Sequence, residues 1–176
     1  PGFIDTHFHW TRPIGFKLAL RDGVTTAMDL EAGVYGPRVD EWYKMLAGKS
    51  QLNFGTGSGH EFARTKVMQN LPDSDLLDAP FSVVKGRASG TAWFEKVANL
   101  DEGNRMLSLI DEGLRQGAVG VASTVGYIPG ATAREMFEVQ RVGANYGRPT
   151  SVHLRYTPGT VTTEANGAQE ILANAV

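Results

Sequence analysis

The first ten residues, "PGFIDTHFHW" (Pro1–Trp10), pass from a short apolar segment to two histidines spaced by one residue. Side chains alternate between the two faces of a strand, so His7 and His9 are expected on one face, with Asp5 below them. Neutral imidazole is a common ligand of zinc and similar ions. The pattern therefore predicts a metal site at the end of a strand, although such pairs also occur as hydrogen-bonded surface residues.

Apolar strands alternate with amphipathic helices along the rest of the chain. The predicted strands cover residues 3–7, 24–30, 52–60, 118–124 and 149–156. Helices are predicted over 14–21, 39–48, 101–117 and 132–147, with a further helix beginning in "TEANGAQEILANAV" (163–176). The helix at 132–147 starts with Thr132 and Glu135, the spacing of a capping box. The segment 61–90 is broken by prolines and has no clear pattern.

This alternation is typical of α/β proteins built from parallel βαβ units. A complete (β/α)8 TIM-type barrel takes about 250 residues, so five strands correspond to about five-eighths of one. We therefore expect residues 1–176 to form one partial barrel. A doubly wound open sheet is the alternative, but the Gly-rich dinucleotide loop expected after its first strand is missing from the sequence.

The composition restricts the classes of function. A net charge of −2 over 176 residues argues against nucleic acid or an anionic membrane as the main partner. The sequence has neither an apolar run of about 20 residues nor a signal-peptide pattern. The absence of cysteine excludes disulfides and thiolate metal sites, and fits a cytoplasmic protein. Oligomerisation stays open.

Polar side chains gather at the carboxyl ends of the predicted strands. All four histidines lie there, and the ends of parallel barrel strands meet at one mouth. Polar residues at these ends include His7, His9, Glu31, His60, Tyr127, His153 and Arg155. The convergence strengthens the prediction of a metal site.

The segment "PGFIDTHFH" resembles the first-strand signature of the amidohydrolase superfamily. Within that superfamily, "GVTTAMDLEAG", "SGHEFARTKVMQ", "GAVGVASTVGYIPG" and "SVHLRY" are similar to successive strands of the N-acyl-D-amino-acid deacylases, or D-aminoacylases. The resemblance covers nearly the whole chain. It implies a metal-dependent hydrolase barrel with one or two divalent ions, usually zinc, that activate a water to attack a linear amide bond.

The resemblance also implies a set of metal ligands. His7 and His9 would bind one metal, and His153 the other. D-aminoacylases place a bridging cysteine after the second strand, which this chain lacks. Glu31 is then the bridging candidate, with a solvated loop charge as the alternative. Lys85 is the candidate if a carboxylated lysine is used instead.

Further roles follow from the same resemblance. Arg155 would hold the substrate carboxylate with its planar guanidinium, and a salt bridge to an acidic residue near the mouth is the alternative. His60 is predicted to contact substrate or support the ligands, or else to be a structural histidine. Tyr127 is predicted to contact substrate or to pack over the mouth. Asp5 is expected to hydrogen-bond nearby backbone or the ligand histidines.

Parts of the family pattern are expected outside this chain. The sixth-strand histidine and the eighth-strand aspartate, which takes the proton from the attacking water, would lie beyond Val176, and a flanking β-sandwich would lie before Pro1. No catalytic residue is therefore assigned, and residues 1–176 alone are expected to be inactive.

Three functions remain open at this point. The leading one is hydrolysis of an N-acyl-D-amino acid or a similar small-molecule amide. A cyclic-amide hydrolase of the dihydroorotase or hydantoinase kind predicts a carboxylated lysine on the fourth strand, and "AVGVASTVGY" (118–127) contains none. The third is a degenerate barrel that binds a ligand without turnover.

Overall fold

Five parallel strands form a single sheet in the computed structural model, which describes residues 1–155 and 167–173. The strands are β1 (Phe3–Asp5), β2 (Val24–Val34), β3 (Asn53–Gly59), β4 (Gly120–Ser123) and β5 (Thr150–Val152). They are hydrogen-bonded in sequential order, each parallel to the next. β2 also contacts β4 and β5, because the sheet curls like part of a barrel. The predicted partial TIM-type barrel is confirmed, and the doubly wound alternative, whose strand order reverses, is wrong.

Helices connect the strands. They are α1 (Pro13–Arg21), α2 (Val39–Leu46), α3 (His60–Gln69), α4 (Phe81–Ala88), α5 (Ala92–Glu95), α6 (Leu100–Arg115), α7 (Ala133–Asn145) and α8 (Gly167–Ala173). The helices predicted from 14–21, 39–48, 101–117 and 132–147 are α1, α2, α6 and α7. The part of the final predicted helix that the structure describes is α8, and Tyr156 of the predicted fifth strand lies outside the described residues. Among the described helices, none has the length and apolar character that crossing a membrane requires.

The predicted capping box at the N-terminus of α7 differs from the observed one. At the start of α7, the Thr132 hydroxyl accepts the backbone N–H of Glu135 at 3.1 Å, but the Glu135 carboxylate turns away to bind His60 and Arg64. The predicted capping box is therefore only half formed. A complete capping box occurs instead at α6, where Asn99 and Glu102 exchange side-chain to backbone hydrogen bonds of 2.9 and 3.0 Å.

The core lies between the sheet and the helices that cover it. α6 buries Met106, Ile110 and Leu114 along one face, as its 3.6-residue period predicts. Trp42 of α2 is fully buried, and its indole N–H donates to Asp78 at 3.1 Å. Each large apolar side chain removed from water contributes about 1.5–3 kcal/mol to folding. These helices therefore fix the curvature of the sheet and the position of its strand ends.

The segment 61–90 has no clear periodic pattern because α3, its first helix, buries charged residues of its own. Glu61 and Arg64 of α3 are 2% and 0% exposed. Glu61 pairs with Arg87 of α4, and Arg64 pairs with Glu135 of α7. A helix that buries ion pairs has no clean apolar face, so its periodicity is weak.

The free edge of β1 leaves apolar surface uncovered. Phe3 and Ile4 are 72% and 65% exposed, and Ile14 and Leu18 on the adjoining α1 are also exposed. Contiguous exposed apolar residues mark a surface that another element covers. In a barrel, the next strand and helix pack at this edge, so the exposure fits a partial barrel.

Candidate metal centre

Three predicted ligands meet where β1 ends, beside the C-terminal half of β2. Ligand atoms of His7, His9 and Glu31 all lie within 4.8 Å of one another. The Nε2 atoms of the two imidazoles are 3.0 Å apart. Oε2 of Glu31 lies 2.7 Å from Nε2 of His7 and 2.8 Å from Nε2 of His9. Both imidazoles therefore present the same nitrogen to one carboxylate oxygen.

His153 reaches the same carboxylate from the other side. Its Nδ1 contacts Oε1 of Glu31, across 122 residues of sequence. Glu31 thus contacts the histidines of β1 with one oxygen and the histidine after β5 with the other. We refer to His7, His9, Glu31 and His153 as the His–Glu cluster.

The histidines follow the strands rather than extend them. β1 ends at Asp5, and His7 forms an isolated bridge to Asp29 in the connecting loop. β5 ends at Val152, one residue before His153. The predicted strands of 3–7 and 149–156 are therefore longer than the observed ones. The two first-strand histidines still converge, because backbone pairing to β2 continues through this loop.

Asp29, near the middle of β2, positions two members of the cluster, and the sequence pattern did not indicate it. It is 2% exposed. Its Oδ1 accepts the backbone N–H groups of Glu31, Ala32 and Gly33 at 3.2, 3.0 and 3.0 Å. Its Oδ2 lies 2.9 Å from Nδ1 of His9. A carboxylate on Nδ1–H fixes the imidazole tautomer that leaves Nε2 free to bind a metal. The one sequence signal was a second acid two residues before Glu31, in "MDLE", which strand alternation places on the same face as Glu31.

Gly33 allows the chain to turn after Glu31. Its φ is +69°, and a Cβ at this position would lie 2.4 Å from the carbonyl oxygen of Gly57 on β3. An L-residue with a side chain is disfavoured at that φ and would collide with the neighbouring backbone. The conformation of residues 29–33, and with it the direction of Glu31, therefore depends on a glycine here.

The electrostatics of the cluster favour a cation. The hydrogen bond to Asp29 is the largest influence on His9 and raises its pKa to about 8, and the charges of Asp29 and Glu31 add to the effect. Burial raises the pKa of Glu31, but the positive charges and hydrogen bonds of His7, His153 and His9 outweigh it and lower the pKa overall. Glu31 is therefore ionised, and a positive charge is stabilised beside it.

The donor set fits a divalent metal. Imidazole nitrogens and a carboxylate oxygen are the ligands that zinc and neighbouring first-row ions take in sites without thiolates. A carboxylate with one oxygen toward each group of histidines has the arrangement of a bridge between two ions. The residues present could thus hold one or two divalent ions.

A cavity opens beside the cluster. Its volume is about 380 Å³, and it is lined by residues of β2 and β5 and of the loops that follow β1 and β5, namely Thr6, His7, Leu30, Glu31, Ser151, Val152, His153 and Leu154. Sites for small molecules commonly have volumes of about 300–1,000 Å³. The space is therefore adequate for a small substrate next to the metal ligands.

Arg155 lies apart from the cluster. Its Nε is 3.0 Å from Oε2 of Glu170, and its other two nitrogens donate to the carbonyl oxygens of Ile128 and Ala131. Only 11% of the side chain is exposed. The backbone is no longer a strand here, so the alternation that would have placed Arg155 beside His153 does not apply. Arg155 therefore forms a salt bridge, the alternative role expected for it, with Glu170 as the acidic residue. Contact between Arg155 and a substrate carboxylate stays a prediction.

His60 occupies a structural position. It is fully buried, with Nδ1 3.0 Å from Oγ of Ser123 and Nε2 2.8 Å from Oε1 of Glu135. Both nitrogens are therefore satisfied between the sheet and α7. This geometry matches the structural-histidine interpretation, and a role in substrate binding is not supported by it.

Tyr127 and Asp5 lie close to the cluster. The ring of Tyr127 is 4.3 Å from that of His153, and the side chain is 44% exposed. Its contact with substrate stays a prediction. Asp5 accepts the backbone N–H of His7 at 2.9 Å, as expected for a residue that orients this loop. The carboxylate on a ligand imidazole is Asp29 instead.

Lys85 is placed elsewhere. Its ammonium lies 2.6 Å from Oδ1 of Asp75, and the side chain is 60% exposed. Of the two bridging candidates, Glu31 is the one that the structure places between the histidines.

Comparison of the structure with known folds identifies the barrel. No protein-family model matches the sequence, and no curated protein matches it. Three solved D-aminoacylase structures are similar in fold. The fold is that of the D-aminoacylase barrel. One of them, described as defining a novel subset of amidohydrolases, has a TM-score of 0.65 and 24% identity over 88% of this chain and 34% of its own.

The other two D-aminoacylase structures concern its metals. One addresses its binuclear metal centre, with one-metal activation and second-metal attenuation, at a TM-score of 0.65 and 23% identity. The other is a mutant in complex with copper chloride, at a TM-score of 0.61 and 22% identity. This chain covers 34% of each, so it spans about a third of the D-aminoacylase length.

Proposed function

We propose that the protein is a metal-dependent hydrolase of linear amide bonds, with N-acyl-D-amino acids as its substrate class. The observation that carries the proposal is the position of Glu31, with one oxygen on His7 and His9 and the other on His153. The D-aminoacylase fold, in which a binuclear metal centre is described, supports it.

The roles of the residues follow from their contacts. His7, His9 and Oε2 of Glu31 would hold one divalent ion, and His153 with Oε1 of Glu31 would hold a second. Such an ion, when bound, lowers the pKa of a water molecule and polarises the carbonyl of an amide. Asp29 accepts Nδ1–H of His9 and so directs Nε2 toward the proposed metal, which would displace the proton that Nε2 carries in the metal-free protein. Glu31 stays ionised at neutral pH and offsets the charge of the site.

The proton-transfer step is not assigned to this chain. If the protein follows the D-aminoacylase pattern, the aspartate that takes the proton from the attacking water would lie on an eighth strand, and the described sheet contains five strands. The proposal therefore concerns metal and substrate binding by these residues, and turnover by the protein that contains a whole barrel.

The cyclic-amide alternative depends on a carboxylated lysine. β4 (Gly120–Ser123) contains no lysine, and Lys85 forms a surface ion pair with Asp75. No observation favours this alternative over the linear amide. A barrel that binds without turnover would differ from the proposed enzyme only in activity.

Metal analysis tests the cluster directly. We expect His7→Ala and Glu31→Ala to weaken binding of Zn²⁺ at least tenfold in a competition titration with a chromophoric chelator, because each removes a direct ligand. His60 supplies the matched control, since it is the histidine outside the cluster. His60→Gln should leave the affinity unchanged. Equal affinities for all three variants and the unmodified protein would refute the site.

Activity on enantiomers tests the substrate class. The intact protein, loaded with Zn²⁺, should release the amino acid from N-acetyl-D-leucine faster than from N-acetyl-L-leucine, and should not open hydantoin or dihydroorotate. Bound metal without hydrolysis of any of these compounds would support the non-catalytic alternative. Ring opening alone would support the cyclic-amide alternative.

A further inference from the structure

Arg87 of α4 brings a guanidinium to the rim of the His–Glu cluster. Its Cζ lies 4.6 Å from the centre of the Tyr127 ring. That ring lies 4.3 Å from the ring of His153, which contacts Glu31. The guanidinium is therefore connected to His153, a proposed metal ligand, through one intervening ring, and it lies on the side of the strand ends.

The guanidinium has unused hydrogen-bonding capacity. Nε and Nη2 donate to the two oxygens of Glu61 at 2.7 and 2.9 Å, while Nη1 donates to no acceptor within residues 1–155 and 167–173. The side chain is 35% exposed. Arg155 differs on both points, because its three nitrogens all have partners and only 11% of it is exposed. Of these two arginines, and among the residues that the structure describes, Arg87 is the one with a nitrogen free to bind another anion.

The surroundings hold Arg87 in place for such a contact. Glu61 is 3% exposed in its side chain and also accepts a hydrogen bond from the Thr124 hydroxyl. The guanidinium stacks on the rings of Tyr127 and Trp93, with Cζ 5.4 Å from the latter. A planar guanidinium fixed by a carboxylate and by aromatic rings loses little entropy when it binds a second carboxylate.

The charge of the cluster also acts on Arg87. The hydrogen bond to Glu61 is the main cause of its raised pKa, and the charge of Glu31 contributes. An anion bound between them would need this positive charge, because Glu31 itself repels it. A metal ion on Glu31 and a guanidinium at the rim together make a site for a substrate with a negative group beside its reacting carbonyl.

We propose that Arg87 binds the carboxylate of the substrate through Nη1, an inference that rests on the proposed function and deepens it. In an N-acyl amino acid, the acyl carbon and the carboxylate carbon are about 3–4 Å apart, since one nitrogen and one Cα separate them. The two C–O bonds, a metal–oxygen bond of about 2 Å and a hydrogen bond of about 2.9 Å extend this to about 10–11 Å between the metal and the donating nitrogen. The two ring contacts place Cζ of Arg87 at most about 9 Å from the centre of the His153 ring, which is within reach of such a substrate. Arg87 is then a specificity-determining residue for acids over neutral amides.

Ligand binding separates this proposal from the hydrolase proposal. Isothermal titration calorimetry of the intact protein with N-acetyl-D-leucine and with its primary amide measures recognition of the carboxylate whether or not the protein hydrolyses either. We expect the acid to bind more tightly than the amide. Arg87→Lys, which keeps the charge but loses the planar fork, should weaken binding of the acid about tenfold and leave the amide unchanged.

Glu61→Gln distinguishes recognition from a merely structural role. It removes the competing charge from Arg87 while it keeps a side chain of the same size, so the acid should bind at least as tightly as to the unmodified protein. Arg148→Lys is the matched control, because Arg148 also lies against a tyrosine ring but donates to the carbonyl oxygens of Leu114 and Ala118, and it should affect the acid and the amide equally. The proposal is overturned if the unmodified protein shows no preference for the acid. It is also overturned if Arg87→Lys weakens both ligands alike, or if Glu61→Gln weakens the acid as much as Arg87→Lys does.

Discussion

Replacement of Asp29 should separate metal binding from folding. Oδ1 accepts three backbone N–H groups and Oδ2 holds Nδ1 of His9. In Asp29→Asn, the amide oxygen can still accept the three N–H groups, but the NH2 group then faces Nδ1 of His9. The imidazole must offer a lone pair there and carry its proton on Nε2, where the metal would bind. We expect affinity for Zn²⁺ to fall about 10–100-fold, as for other losses of a carboxylate behind a ligand histidine.

Asp29→Ala should do further damage. It leaves three N–H groups without their acceptor, and each buried donor without a partner costs about 1–3 kcal/mol. The free energy of unfolding should therefore fall by at least about 3 kcal/mol, whereas Asp29→Asn should lose only about 1 kcal/mol. Zinc competition titrations and urea denaturation of the metal-free protein measure the two effects.

Asp78 provides the matched control for Asp29. It is equally buried, at 2% exposed, and it binds Arg12 and Trp42 instead of a cluster residue. Asp78→Asn should lower stability and leave zinc affinity unchanged. If Asp29→Asn binds zinc as tightly as the unmodified protein, or if Asp78→Asn weakens zinc binding equally, Asp29 does not set the tautomer of His9.

Two further predictions concern stability. Gly33→Ala should destabilise the protein by clearly more than the roughly 1–2 kcal/mol that a left-handed backbone costs a residue with a side chain, because its Cβ would also collide with Gly57. Gly48 is the control: it has φ +72° and open space around it, so Gly48→Ala should cost only that amount. Equal losses of unfolding free energy in urea denaturation would refute the packing argument. Burial raises the pKa of Glu135, but its hydrogen bonds and charge interactions with His60 and Arg64 outweigh burial and lower the pKa overall. The ionised Glu135 therefore stabilises the folded protein fully above the unfolded-state pKa of about 4.3, and this contribution is lost as the pH falls through the pKa of the folded state. Glu135→Gln should lower stability at pH 7 and flatten its decline between about pH 5 and pH 3, and an unchanged acid profile would show that another carboxylate controls it.

The sequence alone determined the order and type of the main elements. Strands such as β2 and helices such as α6 have their own periodicity, and periodicity is a local property that folding preserves. The convergence of His7, His9, Glu31 and His153 was also predictable, because all parallel strands of a barrel end at the same mouth. Asp29, two residues before Glu31, was missed because its contacts with His9 and with the backbone of residues 31–33 exist only in the folded chain.

Only the tertiary structure decided what each polar side chain contacts. Arg155 was expected beside His153, but the strand ends before it, and a helix 15 residues further on supplies Glu170. Arg87 lies in a segment without a clear pattern, and its position depends on Glu61, 26 residues earlier, and on the ring of Tyr127. Hydrogen bonds and ring contacts between residues distant in sequence have no period in the sequence. Their geometry exists only after helices and strands have packed, and so the direction of each guanidinium could be known only from the folded chain.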